Sequence, residues 1–248
     1  MKLISLNVEG KKHTEIVFSF LMAEQADVVC LQEAPEDWCP QLQSLGYQTT
    51  FAPMLIRTRN ETHVEGVIFA SKKKHDATTE YYYKSAAEVT DYTKGEREKL
   101  AHPVIIGSVI LNDITFSIAT THFMVTKDGL ADDHQRQGLE ELLKTLAPKE
   151  NHILCGDFNM PRSVNTLYPE VTKIYTDTVP DKFSSSLDRN IHRLGSSTTL
   201  NEPIFDSYMV DYIFTQEPYV ASDVRLVFGL SDHAAVVGNI TVIQPSLT

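Results

Sequence analysis

The chain has 248 residues, 42% of them hydrophobic, which is enough for a sizeable core and argues against disorder. Its formal net charge is −11, so the overall basic character of a protein that grips duplex nucleic acid by its phosphates is missing. No run reaches the length of a bilayer span, and the three cysteines (Cys30, Cys39, Cys155) suit buried free thiols better than a disulfide framework. These features lead us to expect a soluble protein in a reducing, cytoplasmic setting, with no membrane span and no sign of an obligate protein partner.

No repeat, low-complexity tract or linker interrupts the chain, which predicts a single domain over 1–248. LISLN, at the N-terminus, reads as a strand, TEIVFSFLMAEQ as an amphipathic helix, and VVCLQ after Asp27 as an apolar strand. Lys72-Lys73-Lys74 follows the strand VIFAS and reads as a solvated turn, and Tyr81-Tyr82-Tyr83 as packing residues of a strand. VIIGSVILNDITFSIATTH predicts a hairpin turning at Asn112-Asp113. Helical spacing covers Asp132 to Leu146, ended by Pro148, and HILCGD is another strand. Residues 163 to 203 are polar and read as long loops, whereas DYIF, VRLVF and AAVVGNITVI predict three closing strands. Strands mixed with a few helices place the fold in the α+β class.

The positions of the polar residues carry the functional signal. Four apolar runs end in a group capable of chemistry: Asn7, Glu33, His122 and Asp157. Two later strands open on one: Asp211 before YIF, and Asp232-His233 before AAVV. If the later two strands run antiparallel to the first four, all these groups line one edge of the sheets. Asp157 and Asn159, two apart in GDFN, then point to one side, and Gly229 with Ser231 supplies the turn that Asp232 and His233 need. Any one of these is an ordinary strand-end residue, but six together are not an accident of turn chemistry. Glu33, Asp157, Asp211 and Asp232 would bring four carboxylates together, which an oxygen-loving divalent cation, Mg²⁺ or Mn²⁺, would neutralise.

SLNVEG, LQE, THF, GDFN, VDYIF and SDH, in that order from residue 3 to 233, resemble the endonuclease/exonuclease/phosphatase superfamily. The resemblance implies a four-layer α/β/β/α sandwich, two packed β-sheets flanked by helices. It implies that Glu33 binds the metal, with Asn7 beside it and Asp232 contacting the metal or its waters. It further implies that Asp157 orients or deprotonates the attacking water and that Asn159 holds a phosphate oxygen. His233, bonded to Asp211, would face the scissile phosphate, and His122 would stabilise the leaving group or the pentacovalent phosphorus. The family's abasic-site endonucleases differ: many relatives have Arg where Met209 stands, and the tyrosine of their phosphate pocket has no placed counterpart. THF is closer to the 5′-tyrosyl-DNA phosphodiesterase, sphingomyelinase and phosphatase-like branches.

Arg189, His192 and Arg193, in the polar region before Asp211, are the candidates for substrate contacts. Three functions compete. The first is a metal-dependent phosphodiesterase or nuclease acting at nucleic-acid ends. The second is a phosphatase or phosphodiesterase on a small or lipid phosphoester. The third, a catalytically silent binding module, is disfavoured because the full set of motif residues is present.

Overall fold

The computed structural model describes residues 1–58, 61–92, 96–192 and 206–243. Among these residues, twelve strands form two six-stranded mixed sheets that pack face to face, an α+β sandwich with helices at its flanks. The first sheet has the order β11-β12-β1-β2-β4-β3, built from β1 (Lys2–Asn7), β2 (Val28–Pro35), β3 (Gln48–Arg57), β4 (His63–Ser71), β11 (Tyr219–Val227) and β12 (Ala235–Val242). The second has the order β5-β6-β7-β8-β10-β9, from β5 (His75–Tyr83), β6 (His102–Leu111), β7 (Ile114–His122), β8 (Ile153–Asp157), β9 (Thr176–Asp177) and β10 (Asp211–Thr215). Helix α2 (Trp38–Ser44) lies against β3 and helix α3 (Asp133–Leu146) against β5, one on each sheet.

The apolar run of β2 is explained by burial on both faces. Val28 and Cys30 join the core between the sheets, while Val29 and Leu31 face α1 (Thr14–Glu24) and α2, with Val17, Leu21, Trp38 and Leu42. The alternation of β1 divides in the same way: Leu3 points between the sheets, Ile4 and Leu6 toward the helices. Asn7 therefore falls on the inner face, four residues on from Leu3. Asp132 caps α3 by accepting a hydrogen bond from the Gln135 N–H at 2.8 Å.

The hairpin turns at Asn112-Asp113, and both residues take positive φ (50° and 63°), as a two-residue type I′ turn requires. Tyr82 is buried with its hydroxyl 3.0 Å from Thr121 Oγ1, and Tyr81 donates to the Pro53 carbonyl, so the tyrosine run packs rather than stacks on a ligand. The polar stretch from residue 163, which reads as long loops in the sequence, is not loop throughout. It instead carries a short helix, α4 (Tyr168–Thr172), and β9, whose Asp177 meets Arg162 and the Tyr168 hydroxyl. A half-buried arginine that holds such elements by polar contacts is a packing device that hydropathy does not reveal. Among the described residues, no helix is long and apolar enough to cross a membrane.

Several core histidines are held neutral. Burial pushes His102 down to about 3 in spite of the His122 carbonyl that its Nδ1 meets at 3.1 Å. Unfolded, it would take up a proton below about 6.5 and the folded protein would not, so its contribution is intact above pH 6.5 and lost as pH falls toward 3. One such group costs roughly 2 kcal/mol at pH 5. Denaturant titrations between pH 7 and 5 should show a shallower loss of stability for His102→Gln than for the wild type. Parallel pH slopes would mean that His102 is not buried neutral.

Candidate active site

The strand directions decide the site. β1 runs parallel to β2 and β7 parallel to β8, while β12 is antiparallel to β1 and β10 antiparallel to β8. The ends carrying Asn7, Glu33, His122 and Asp157 and the starts carrying Asp211 and Asp232-His233 therefore meet at one edge of the sandwich. In the second sheet the register is explicit: His122 lies opposite Asp157, and Asp157 opposite Asp211. Gly156, with φ of 146°, permits that approach, because a Cβ there would sit 1.9 Å from the Thr121 carbonyl oxygen.

Asp157 is buried at the centre. Its Oδ1 accepts the Asn159 N–H at 2.9 Å, and its Oδ2 accepts from Asn7 Nδ2 at 3.0 Å. The same Oδ2 lies 3.5 Å from His122 Nε2 and 3.9 Å from His233 Nε2. Asn159 shares a side with Asp157 as expected, but through a turn and not through extended chain. Its φ is 50°, and its Nδ2 donates to the Phe123 carbonyl at 3.0 Å while lying 3.2 Å from His122 Nε2. Phe158 between them is fully buried.

Glu33 reaches the same centre by breaking the strand alternation. Gln32 already points between the sheets, toward Thr120 Oγ1 at 3.3 Å, so a flat strand would turn Glu33 outward. A positive φ of 51° at Glu33 and a register shift in the β2–β4 pairing between Leu31 and Ala34 swing it back. Its Oε1 is 3.4 Å from Asn7 Nδ2. The Asn7 amide thus bridges two carboxylates, while its Oδ1 accepts the Glu9 N–H at 3.1 Å.

The Asp232-His233 turn forms around Ser231, which accepts the His233 N–H and donates to Asp232 Oδ1, after Gly229 at φ 85°. His233 Nδ1 meets Asp211 Oδ2 at 2.7 Å. Burial opposes charge on His233, but Asp211 and Asp157 overcome it and hold the imidazole well above its usual range. Asp211 is itself raised by burial, with His233 working against that rise. Asp232 is pushed up to about 6, chiefly by burial, with Glu9 and Glu33 adding repulsion against the favourable pull of His233.

Sequence reasoning missed three contributors. Ser186 donates to Asp211 Oδ2 at 2.6 Å and accepts from the Val210 and Asp211 N–H groups. Its strand-like segment bridges Leu187 to His233, and Asp188 N donates to the Asp232 carbonyl at 2.8 Å. A serine within Ser184-Ser185-Ser186 offers no signal of this. Arg57 and Glu65 flank Glu33 from β3 and β4, and Arg57 could have been noticed by the same strand-end logic. Of the candidate substrate contacts, Arg189 bonds Asp206 Oδ1 at 2.8 Å, His192 follows on the same segment, and Arg193 lies outside the described residues. An open cavity of about 790 Å³ near Ile56, Lys84 and Lys99 is lined by none of the residues at this centre.

Asp157, Asp211 and His233 present ligand atoms within 4.8 Å of one another, a buried group of a kind able to hold a metal. The short His233–Asp211 bond already engages one atom of each, but Asp211 Oδ1 is buried without a hydrogen-bond partner among the described residues, and Glu33 and Asp232 add further carboxylates close by. The family model for the endonuclease/exonuclease/phosphatase family matches residues 4–233. The chain belongs to this family. No curated protein sequence matches it. A family member of Leptotrichia buccalis shares 16% identity over 97% of this chain and 99% of its own, with TM-score 0.70. D. rerio TDP2, solved with a single-strand DNA product, shares 14% over 98% and 99%, with TM-score 0.69. A mannosyl-6-phosphatase of Bacteroides thetaiotaomicron shares 13% over 97% and 99%, with TM-score 0.64. At such identities these likenesses concern the fold.

If Asp211 and His233 work as one unit, removing either forfeits the same function. The rate of Asp211→Ala/His233→Ala should be within a few-fold of His233→Ala alone. Losses that add in log rate would show independent roles.

Proposed function

We propose that this protein hydrolyses phosphodiesters with the help of a bound divalent cation, acting at nucleic-acid ends. The observation that carries this reading is the Asp157 carboxylate, held by Asn159 and Asn7 and faced by His122 and His233 at one edge of the sandwich. A family that hydrolyses phosphoesters, and a fold neighbour solved with a DNA product, supports it.

The donor set fits a hard cation. Burial, with Glu9 and Glu33 near enough to add repulsion, raises Asp232, and Glu33 remains about one quarter exposed. Mg²⁺ or Mn²⁺ suits oxygen donors of this kind. We assign Glu33 and Asp232 as its oxygen donors. Asn7, whose Nδ2 faces Glu33 and Asp157, aligns them and the phosphate. When bound, the cation would neutralise charge on the phosphate oxygens.

The protein's own groups supply the rest. Asp157 Oδ2 orients the attacking water and takes its proton. His233, kept protonated by Asp211, donates a hydrogen bond to a phosphoryl oxygen as charge accumulates there. Asn159 and His122 sit on the other flank, where they hold a second oxygen and the leaving group. Arg189 and His192 are assigned to the nucleic-acid strand beyond the scissile bond, because Asp188 ties their segment to the Asp232 turn, and Arg193, outside the described residues, is assigned with them from the sequence alone. We further read residues 1–248 as one domain, and the three free thiols as those of a cytoplasmic protein.

The small-molecule phosphatase reading has one specific support, the mannosyl-6-phosphatase of the same fold. Chelation should abolish turnover, and Glu33→Ala should raise the metal concentration needed while lowering the rate on the order of 100-fold or more. Full activity in excess chelator would overturn the metal assignment. At fixed salt, an end-labelled oligonucleotide should be cleaved faster than a closed plasmid or a phosphomonoester, with a shallow salt dependence. Rapid nicking of the plasmid would remove the end preference. Turnover of the monoester alone would transfer the assignment to the phosphatase reading.

A further inference from the structure

Arg57 closes a row of polar groups across the site: Asp157, Asn7, Glu33, then Arg57, whose Nη2 is 3.9 Å from Glu33 Oε2. It is fixed with unusual care for a residue at a strand end. Glu65, only 3% exposed, accepts Arg57 Nε at 3.0 Å and also meets Nη2. The other Glu65 oxygen takes His63 Nε2 at 2.8 Å. Gly10 leaves the space this requires, since a Cβ there would come within 2.7 Å of Glu65 Oε1. Beneath the guanidinium lies the Tyr92 ring, 5.2 Å from Arg57 Cζ. Tyr92 is clipped in place by its own N–H to the Ile56 carbonyl at 2.8 Å, beside the Ile56 N–H to the Thr90 carbonyl at 2.9 Å.

These contacts engage one edge of the guanidinium and one of its faces. Nη1 makes no hydrogen bond among the described residues, and the side chain is 29% exposed, so its outer edge is open to a ligand. Glu33 does not use that edge well, because 3.9 Å is beyond hydrogen-bond reach. An arginine also repels a cation held on Glu33. Such an arrangement costs metal affinity unless an anion comes between the two positive charges. A planar, preorganised guanidinium with an unused edge suits an oxyanion, phosphate above all.

We propose that Arg57, held by Glu65 and Tyr92, is an anion subsite beside the reaction centre that takes a second phosphate of the substrate. The favoured substrate is then a phosphodiester bearing a neighbouring phosphate, as in an oligonucleotide, over an isolated phosphoester. This inference rests on the phosphoesterase reading and adds the substrate class to it.

The test compares two chromogenic substrates, thymidine 5′-(p-nitrophenyl phosphate) and its 3′-phosphorylated form, with thymidine 5′-monophosphate and thymidine 3′,5′-bisphosphate as ligands in calorimetry. The wild type should favour the 3′-phosphorylated substrate and bind the bisphosphate more tightly. In Arg57→Gln, kcat/KM on the 3′-phosphorylated substrate should fall at least about 10-fold more than on the other, through KM, as expected for one charge-assisted contact. Arg57→Lys should recover part of that difference. Because Arg57→Gln strands the buried Glu65 charge, Arg57→Gln/Glu65→Gln serves as the variant whose folding is protected, and it should show the same selective loss. Equal losses on both substrates, or a fall in kcat with a raised Mg²⁺ requirement, would overturn the subsite and make Arg57 a support for Glu33. If the wild type turned over neither substrate, the phosphoesterase reading would fail. Calorimetry would then decide the subsite: retained preference for the bisphosphate that is lost in both variants upholds it, and equal affinities refute it.

Discussion

The Asp157 carboxylate is the constraint on which the rest of the site depends. One oxygen is tied within its own strand end by the Asn159 N–H, while the other faces Asn7 from the opposite sheet and the two histidines. The hydrogen bond from Asn7 therefore joins the two sheets across the inner face of the sandwich. A buried carboxylate shared in this way demands a fixed separation between the sheets. The core provides it through packed residues such as Phe69, Phe123, Phe158 and Ile118. Gly107 shows how closely the sheets approach, because a Cβ at that position would come within 2.5 Å of the Phe69 ring.

Charge is the second constraint. Asp157, Asp211, Asp232 and Glu33 gather at one edge, and the fold answers each in a different way. Asp211 is matched by His233 and Ser186, Asp157 by the Asn7 and Asn159 donors, and Glu33 by the Asn7 amide and the neighbouring Arg57. Asp232 is the least compensated, since burial and the nearby Glu9 and Glu33 both oppose its ionisation. That residual imbalance is located on the open side of the site. A fold that only needed stability would replace such a cluster with neutral groups, so the cluster is the part of the structure on which the proposed function rests.

Much of this was legible in the sequence because strand ends are easy to find. Apolar runs closing on Asn7, Glu33, His122 and Asp157 gave the positions, and the antiparallel return of β10 and β12 brought Asp211 and His233 alongside them. What could not be read was how backbone irregularities aim side chains. Period-two alternation sends Glu33 away from Asn7, and only the left-handed φ and the register shift in β2 reverse it. Ser186 was hidden because its partner Asp211 is 25 residues away with no local pattern linking them, whereas Arg57 does stand at the end of a strand and only its pairing with Glu65 was out of sight. The helix and strand inside the polar stretch escaped for a related reason: Arg162, Asp177 and Tyr168 hold them by polar contacts that hydrophobic periodicity does not register.

The segment around Ser186 explains how a loop can hold the geometry of the candidate site as firmly as a strand. Ser186 N donates to the Tyr208 carbonyl, and its own carbonyl accepts from Ala234, so the segment is pinned between the approach to β10 and the entry to β12. Asp188 adds a bond to the Gly229 N–H at 2.7 Å and another, through its own N–H, to the Asp232 carbonyl. The Asp232-His233 turn is thereby supported on both sides, and His233 is not free to follow solvent. Asp211 then needs only one short bond to set the imidazole, because the backbone carrying the ring is already fixed. A precise site in this fold does not depend on a rigid strand at every position. It depends on each loop end finding a neighbouring loop whose backbone hydrogen bonds it completes.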